Sequence, residues 1–343
     1  MPFLLTKQNA EEIRTEAKVF GACPYRSPNR NQGWHPDLWA EQRRIQEMAP
    51  GESMLTSGVE FDAKCGIITV PPIWEGGNRK EALRLAACYD SALRLAHRRR
   101  CKSIAFPLLS SDCHGFPKDL ALKTAIEAIR DFLERFEMTV YLSVREPSVL
   151  QLFDDHYDRI RRALEVGDYL GQENVAAPTV AMPVPDLAAC EDWDAPMAAA
   201  EAVPKESHSP GLPHLPRPAV SRSLQNLLEE QEETFSQRVL RLIDSKGLKD
   251  PQVYKRANLD RRLFSKIRSN VSYQPSKTTA LALAIALELN LDETRDLIGK
   301  AGYALTRSSK ADIILEYFIR EGTYDIYEIN QILFAFDQPL IGG

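Results

Sequence analysis

The chain has 343 residues, of which 44% are apolar and 27% charged, with a formal net charge of −5. That length suggests about two domains plus connecting chain, and the composition allows real cores to be buried. No apolar run approaches the roughly 20 residues that span a bilayer, and Met1 to Lys7 lack the basic and long apolar regions of a secretory signal. The six cysteines (Cys23, Cys65, Cys88, Cys101, Cys113, Cys190) form no C-x-x-C pair and have no histidine pair nearby. Their spacing argues against a disulfide framework and a structural zinc site, so reduced thiols, a cytoplasmic location and no metal or cofactor are expected.

Strands and helices alternate over the first ~165 residues. Ile67 to Val70, Ser103 to Leu109 and Thr139 to Val144 are near-continuous apolar runs of the kind found in parallel strands covered on both faces. Between them, Asn78 and Glu81 have the spacing of a capping box and open a helix that runs to about Arg100. Pro117 begins a second helix with Asp119 in its first turn and one apolar stripe of Leu122, Ile126, Ile129, Leu133 and Phe136. Strand–helix–strand order of this kind predicts a mixed or parallel sheet flanked by helices, over residues 1–168.

Residues 169–222 are rich in proline, alanine, serine and acidic side chains, a composition that buries too little apolar area to fold, and they read as a linker. Five short helical patterns follow within 223–307. One runs from Phe235 to about Lys246 and stops at Gly247. Others open at Asp250-Pro251, after Asp260, after Pro275-Ser276 and at Asp292. Residues 308–343 form a helical extension whose apolar density, as in Ile313 to Ile319 and Ile332 to Phe336, suits a packed addition or a homodimer interface. From Phe235 to Arg307 there are fourteen Lys/Arg against seven Asp/Glu, whereas from Ser308 to Gly343 there are two against six. A basic block inside an acidic chain points to an anionic partner more directly than the total charge does.

Ser103-Ile104-Ala105-Phe106-Pro107-Leu108-Leu109-Ser110-Ser111-Asp112-Cys113-His114-Gly115-Phe116-Pro117-Lys118-Asp119 resembles the second ligand loop of macro domains. The segments Gly51 to Lys64 and Thr69 to Trp74 resemble the same family, over roughly residues 1 to 150. The resemblance implies a three-layer α/β fold that binds ADP-ribose, and in many members hydrolysis of ADP-ribosyl bonds or related esters. It places the ligand against Asn9, Cys23, Ser110, Ser111, Asp112, Cys113, His114, Gly115 and Phe116. Independently of the name, a serine- and glycine-bearing turn between a strand end and a helix start offers N–H groups and a positive dipole end to phosphate.

Several positions depart from the family. The usual Asn-Ala-Ala-Asn is Phe20-Gly21-Ala22-Cys23, and Pro24 to Arg30 replace a glycine run. Asn9 stands where an acidic residue meets adenine, Asp112 replaces a glycine, and Ile68 and Pro71 replace a histidine and a glycine. These changes predict that glycohydrolase chemistry is lost. Cys113 and His114 offer a replacement nucleophile and base, against the alternative that His114 only covers the ligand. Arg26, Arg30 and Trp34 offer new phosphate or base contacts, or are ordinary loop residues.

The helices from Phe235 to Leu305 resemble the helix-turn-helix of the lambda-repressor-like (XRE) family. In the third, Leu263, Phe264 and Ile267 face inward, which leaves Arg261, Arg262, Ser265, Lys266, Arg268 and Asn270 for bases and phosphates. Lys249, Lys255, Arg256 and Lys277 add backbone contacts. Together the resemblances imply a regulator that senses an ADP-ribose-like nucleotide and binds DNA. The alternatives are a hydrolase of ADP-ribosylated substrates and a protein–protein adaptor.

Overall fold

The computed structural model describes residues 2–22, 44–56, 62–110, 114–145, 155–166 and 233–343. Six strands form one sheet: β1 (Phe3–Thr6), β2 (Ala17–Gly21), β3 (Ser53–Thr56), β4 (Cys65–Thr69), β5 (Ser103–Pro107) and β6 (Thr139–Ser143), in the order β1-β6-β5-β2-β4-β3. Every pairing is parallel except that of β3 with β4. The strands legible as apolar runs are the interior ones, since β4 is buried at all five positions and β5 at its middle three.

Two long helices, α1 (Glu81–Arg98) and α2 (Lys118–Arg135), pack on one face. The stripe predicted for α2 is buried at Leu122, Ile126, Ile129 and Leu133, and Phe106, Tyr89 and Phe132 fill the layer between helices and sheet. On the other face, Ala105 and Tyr141 meet Ala10 and Ile13 from the segment after β1, and Ile68 meets Ala22.

The start of α1 differs from the capping box expected of Asn78. The N-cap is Lys80, in the left-handed region at φ 60°, and its side chain makes no cap bond. Glu81 instead turns back into the preceding loop, where its carboxylate accepts the N–H groups of Glu75, Gly77 and Arg79 at 3.2, 3.1 and 2.7 Å. Loss of water raises the Glu81 pKa, but these donors together outweigh it and hold the carboxyl below its ordinary range. The loop is therefore stabilised by ionised Glu81, fully above the free carboxyl value of about 4.3 and less as pH falls through the lower folded value. Acid titration of thermal stability should show an acid-side loss that is smaller in Glu81→Gln. Parallel titration curves for the two proteins would refute this role.

Residues Met1–Leu170 and Glu233–Gly343 belong to one compact unit. The predicted linker lies outside the described residues. The remaining helices are α3 (Asp155–Val166), α4 (Phe235–Ser245), α5 (Asp250–Arg256), α6 (Arg261–Ser269), α7 (Lys277–Ala286), α8 (Leu291–Lys300), α9 (Lys310–Glu321) and α10 (Ile326–Ala335). Their starts follow local chemistry. Thr234 with Gln237 and Asn290 with Glu293 form capping boxes, and Asp260, Ser276, Ser309 and Asp325 each accept an N–H of the first turn. The starts read at Asp250 and Asp292 shift by a residue or two. Lys249 and Asn290 are the N-caps, and the two carboxylates sit in the first turns, where the helix dipole favours them.

These helices join the sheet at its β1 edge. Asn258, in the left-handed turn between α5 and α6 (φ 52°), is 2% exposed. Its Oδ1 accepts the Phe3 N–H at 2.7 Å and its Nδ2 donates to the Phe3 carbonyl at 2.8 Å, the pattern an added strand would make. Around it, Tyr254 Oη donates to Glu137 at 3.0 Å, Lys255 to the Glu134 carbonyl at 2.6 Å, and Arg130 to Asp325 at 3.2 Å. Farther along, Tyr157 of α3 stacks on Phe336 with centroids 4.7 Å apart, and His156 Nδ1 lies 2.8 Å from Tyr317 Oη.

Candidate functional site

With five strands parallel, the loops after β1, β2, β4, β5 and β6 all leave at one end of the sheet. A ligand of an open α/β sheet sits beyond this end. The loop after β5 is fixed by buried polar contacts. Its Leu109 N–H donates to the Tyr89 hydroxyl at 3.0 Å, and its Leu108 N–H to the Ser143 carbonyl at 3.2 Å. Burial pushes the Tyr89 phenol pKa upward, so the hydroxyl stays neutral and available as an acceptor.

Ser110 then takes a left-handed conformation, φ 63°, with its Oγ 3.4 Å from the Pro72 carbonyl. Gly115 is also left-handed, φ 66°. Pro117 is the N-cap of α2 and supplies no side-chain cap of its own. The start of α2 faces the same end of the sheet as the loops, which puts the positive end of its dipole there.

His114 is 4% exposed and ties three loops together. Its Nε2 lies 3.2 Å from the Ala22 carbonyl, which only accepts, so the proton sits on Nε2. Its own carbonyl accepts the Trp74 N–H at 2.9 Å, and Trp74 packs on Phe116 with centroids 4.7 Å apart. His114 therefore locks the loop after β5 to the ends of β2 and β4. Gly21 shows how close these ends are, since a Cβ there would lie 3.3 Å from Leu109 Cδ2 and 3.4 Å from Pro71 Cγ.

Of the residues singled out in the sequence, Ser110, His114, Gly115 and Phe116 come together here. Asn9 sits after β1, where its Oδ1 accepts the Glu11 N–H at 3.4 Å in a turn of its own. Cys23, Ser111, Asp112, Cys113, Arg26, Arg30 and Trp34 lie outside the described residues. Sequence reasoning missed Tyr89 and Ser143, which no motif marks. Cys65 and Cys101, read as scattered, bring their sulfurs to 3.5 Å at the opposite end of the sheet as free thiols. Burial and the neighbouring Cys65 push the Cys101 thiol up to about 12. Among the described residues, no group of three His, Cys, Asp or Glu is placed to hold a metal, and no helix is long and apolar enough to cross a membrane.

A cleft of about 550 Å³ lies away from these loops, between α2 and the helices docked on β1. Two of its cations are paired internally, Arg130 with Asp325 and Arg256 with Glu288, at 3.2 and 3.1 Å, and Lys255 donates to the Glu134 carbonyl. On α6, Leu263 is half-buried, Phe264 and Ile267 are buried, and Arg261, Arg262, Ser265, Lys266, Arg268 and Asn270 are exposed. Arg268 is held by both oxygens of Asp250, at 2.6 and 2.8 Å, and Asn270 caps the helix end. Arg261, Arg262 and Lys266 make no ion pair among the described residues. Lys255 and Arg256 face the α/β layer and Lys277 is bound to Asp312.

A family model for the macro domain matches residues 32–125, within the α/β half. A macro domain-containing protein of Methanosarcina mazei is 39% identical over 109 residues, covering 31% of this chain and 58% of that protein. One of Mesorhizobium japonicum is 34% identical over 119 residues, covering 34% of this chain and 68% of that protein. The O-acetyl-ADP-ribose deacetylase of Klebsiella pneumoniae is 39% identical over 90 residues, covering 26% of this chain and 51% of that enzyme. The chain spans 56–58% of the length of the first curated relatives it matches. Among solved structures, the macro domain of ganglioside induced differentiation associated protein 2 is 25% identical with a TM-score of 0.39, covering 44% of this chain and 81% of that one.

Proposed function

The chain belongs to the macro domain family, and from that premise we propose that the loops beyond the strand ends bind ADP-ribose or a related nucleotide. The observation that carries this reading is the arrangement of Leu109, Ser110 and His114 to Pro117 between β5 and α2. Ser110 and Gly115 are left-handed there, Tyr89 and His114 brace it, and it leads to the N-terminus of α2. Backbone N–H groups in such a turn, with the dipole end of α2 behind them, suit a diphosphate without needing a lysine or arginine. Trp74, partly exposed and packed on buried Phe116, supplies an apolar surface.

The test is thermal melting of the full chain with ADP-ribose, NAD and related dinucleotides. A ligand at 100 times its dissociation constant stabilises the folded state by about 2.7 kcal/mol. No shift with any member of the panel would overturn the reading. Product analysis of the same samples separates a sensor from a hydrolase. Phe20 and Cys23 at the two asparagine positions favour a sensor, and turnover of an O-acetyl-ADP-ribose or ADP-ribosyl substrate would favour an enzyme.

A second activity fits the helical half, namely DNA binding through α6. Its support is local. Apolar residues seat α6 on the bundle through Phe264 and Ile267, while Arg261, Arg262 and Lys266 remain outward without carboxylate partners among the described residues. The combination reads as a nucleotide-responsive regulator.

A further inference from the structure

Cys65 opens β4, and Cys101 lies in the short connection between α1 and β5. They are 36 residues apart in the chain, yet their sulfurs are 3.5 Å from each other. In the sheet β2 runs between β4 and β5, and the residue before β2 holds both neighbourhoods. The Glu16 carbonyl accepts the Cys65 N–H at 3.1 Å, and the Glu16 carboxylate accepts the Lys102 N–H at 3.0 Å. Lys64 Nζ donates to the Arg100 carbonyl at 3.4 Å, and the Cys101 N–H donates to the Ala96 carbonyl at 3.0 Å. Backbone on either side of the pair is thus tied together. A disulfide, with its sulfurs about 2.05 Å apart, asks them to approach by about 1.5 Å.

Cys88 shows what a buried cysteine without such a neighbour does. Its Sγ donates to the Val70 carbonyl at 3.3 Å, and burial pushes its thiol up to about 11. Cys65 and Cys101 are 7% and 4% exposed, so only a small oxidant reaches them. Burial, with Cys65 beside it, holds the Cys101 thiol protonated at neutral pH, although the charge of Lys64 works the other way. Cys65 is therefore the sulfur oxidised first, and Cys101 the one that resolves it.

We propose that Cys65 and Cys101 form a reversible dithiol–disulfide couple, closed by a small hydroperoxide and reopened by a thiol reductant, which locks β4 to the start of β5. The Cys65 sulfur attacks the peroxide, the O–O bond breaks, and one water leaves a sulfenic acid. The Cys101 sulfur then attacks the Cys65 sulfur, the S–O bond breaks, and the Cys101 proton leaves with the hydroxide as a second water. Two thiols are oxidised by two electrons and one peroxide is reduced to two waters. The closed loop holds β4, Trp74, Glu81 and the Tyr89 brace, so the bond restrains the segment that shapes the ligand end from the opposite end of the sheet. The couple stands independently of the nucleotide and DNA readings.

The experiment treats the folded full chain with hydrogen peroxide, alkylates the remaining thiols in urea, and maps the peptides by mass spectrometry. A Cys65–Cys101 cross-linked peptide is expected, with Cys88 recovered alkylated. Recovery of both Cys65 and Cys101 as alkylated or singly oxidised residues overturns the couple, as does a cross-link that forms only when oxidation is carried out in urea. Thermal melting supplies the second readout. The oxidised chain should melt about 5 °C or more above the reduced one, as closing a loop of this length implies. Dithiothreitol should abolish the difference, and Cys65→Ala and Cys101→Ala should show no rise with peroxide. The wild-type peptide map decides the pairing even if either variant fails to fold. A cross-link that leaves the melting temperature unchanged overturns the lock.

Discussion

Asn258→Ala is expected to destabilise the folded unit by about 3 kcal/mol or more, because two main-chain groups of Phe3 lose their partner in a buried setting at about 1–3 kcal/mol each. Both residues are almost inaccessible, Asn258 at 2% and Phe3 at 4%, so water does not replace the amide. Alanine also resists the left-handed backbone held at φ 52°, which adds about 1 kcal/mol. Asn258→Gly separates the two contributions, since glycine accepts the backbone and removes only the amide. Urea unfolding of the three proteins gives the comparison, with Asn258→Gly falling between the other two. An Asn258→Ala protein within about 0.5 kcal/mol of wild type, the usual range for surface changes, would mean the amide does not clamp the strand.

The other large effect is expected at Asp312. Its carboxylate is 4% exposed and accepts from Lys277 Nζ at 2.6 Å, Thr306 N at 2.9 Å and Thr306 Oγ1 at 3.1 Å. One side chain thereby joins α7, the turn before α9 and the first turn of α9. Asp312→Ala leaves an ammonium group and a backbone donor without their acceptor, and breaking such a pair costs about 3 kcal/mol or somewhat more. Lys277 is 30% exposed and recovers some hydration, which keeps the loss at the lower end. Lys277→Met in the Asp312→Ala background removes the stranded cation, so the double variant should be less destabilised than the two single losses added together. Additivity of the single changes within about 0.3–0.5 kcal/mol would show the groups to be uncoupled.

What could be read in the sequence follows the range of the interactions involved. β4, β5 and β6 were legible because buried parallel strands are apolar at consecutive positions. α2 and α4 to α10 were legible because their periodicity and caps lie within a few residues of each other. β1, β2 and β3 passed unmarked. Each is four or five residues long, and β3 is half-buried throughout, with no alternation to betray it. The capping box read at Asn78 failed because Glu81 bonds N–H groups before the helix, a choice made by the loop and not by the spacing. In the site, Ser110, Gly115 and His114 were visible as a motif. The braces Tyr89 and Ser143 were not, being 20 and 35 residues from the groups they hold. Asn258 meets Phe3 across 255 residues, which no local pattern carries.

The closure of β1 also bears on how the protein behaves in a concentrated solution. A strand at the border of a sheet is a template for the backbone of another molecule, and such growth leads to fibrils. Here the amide of Asn258 occupies that template on one border, and the other ends in β3, only four residues long. One of the side chains that join the helices to the sheet thus also blocks strand-by-strand self-association. Tendency to aggregate then belongs to the partly opened molecule, in which the turn between α5 and α6 has left Phe3, and not to the native one.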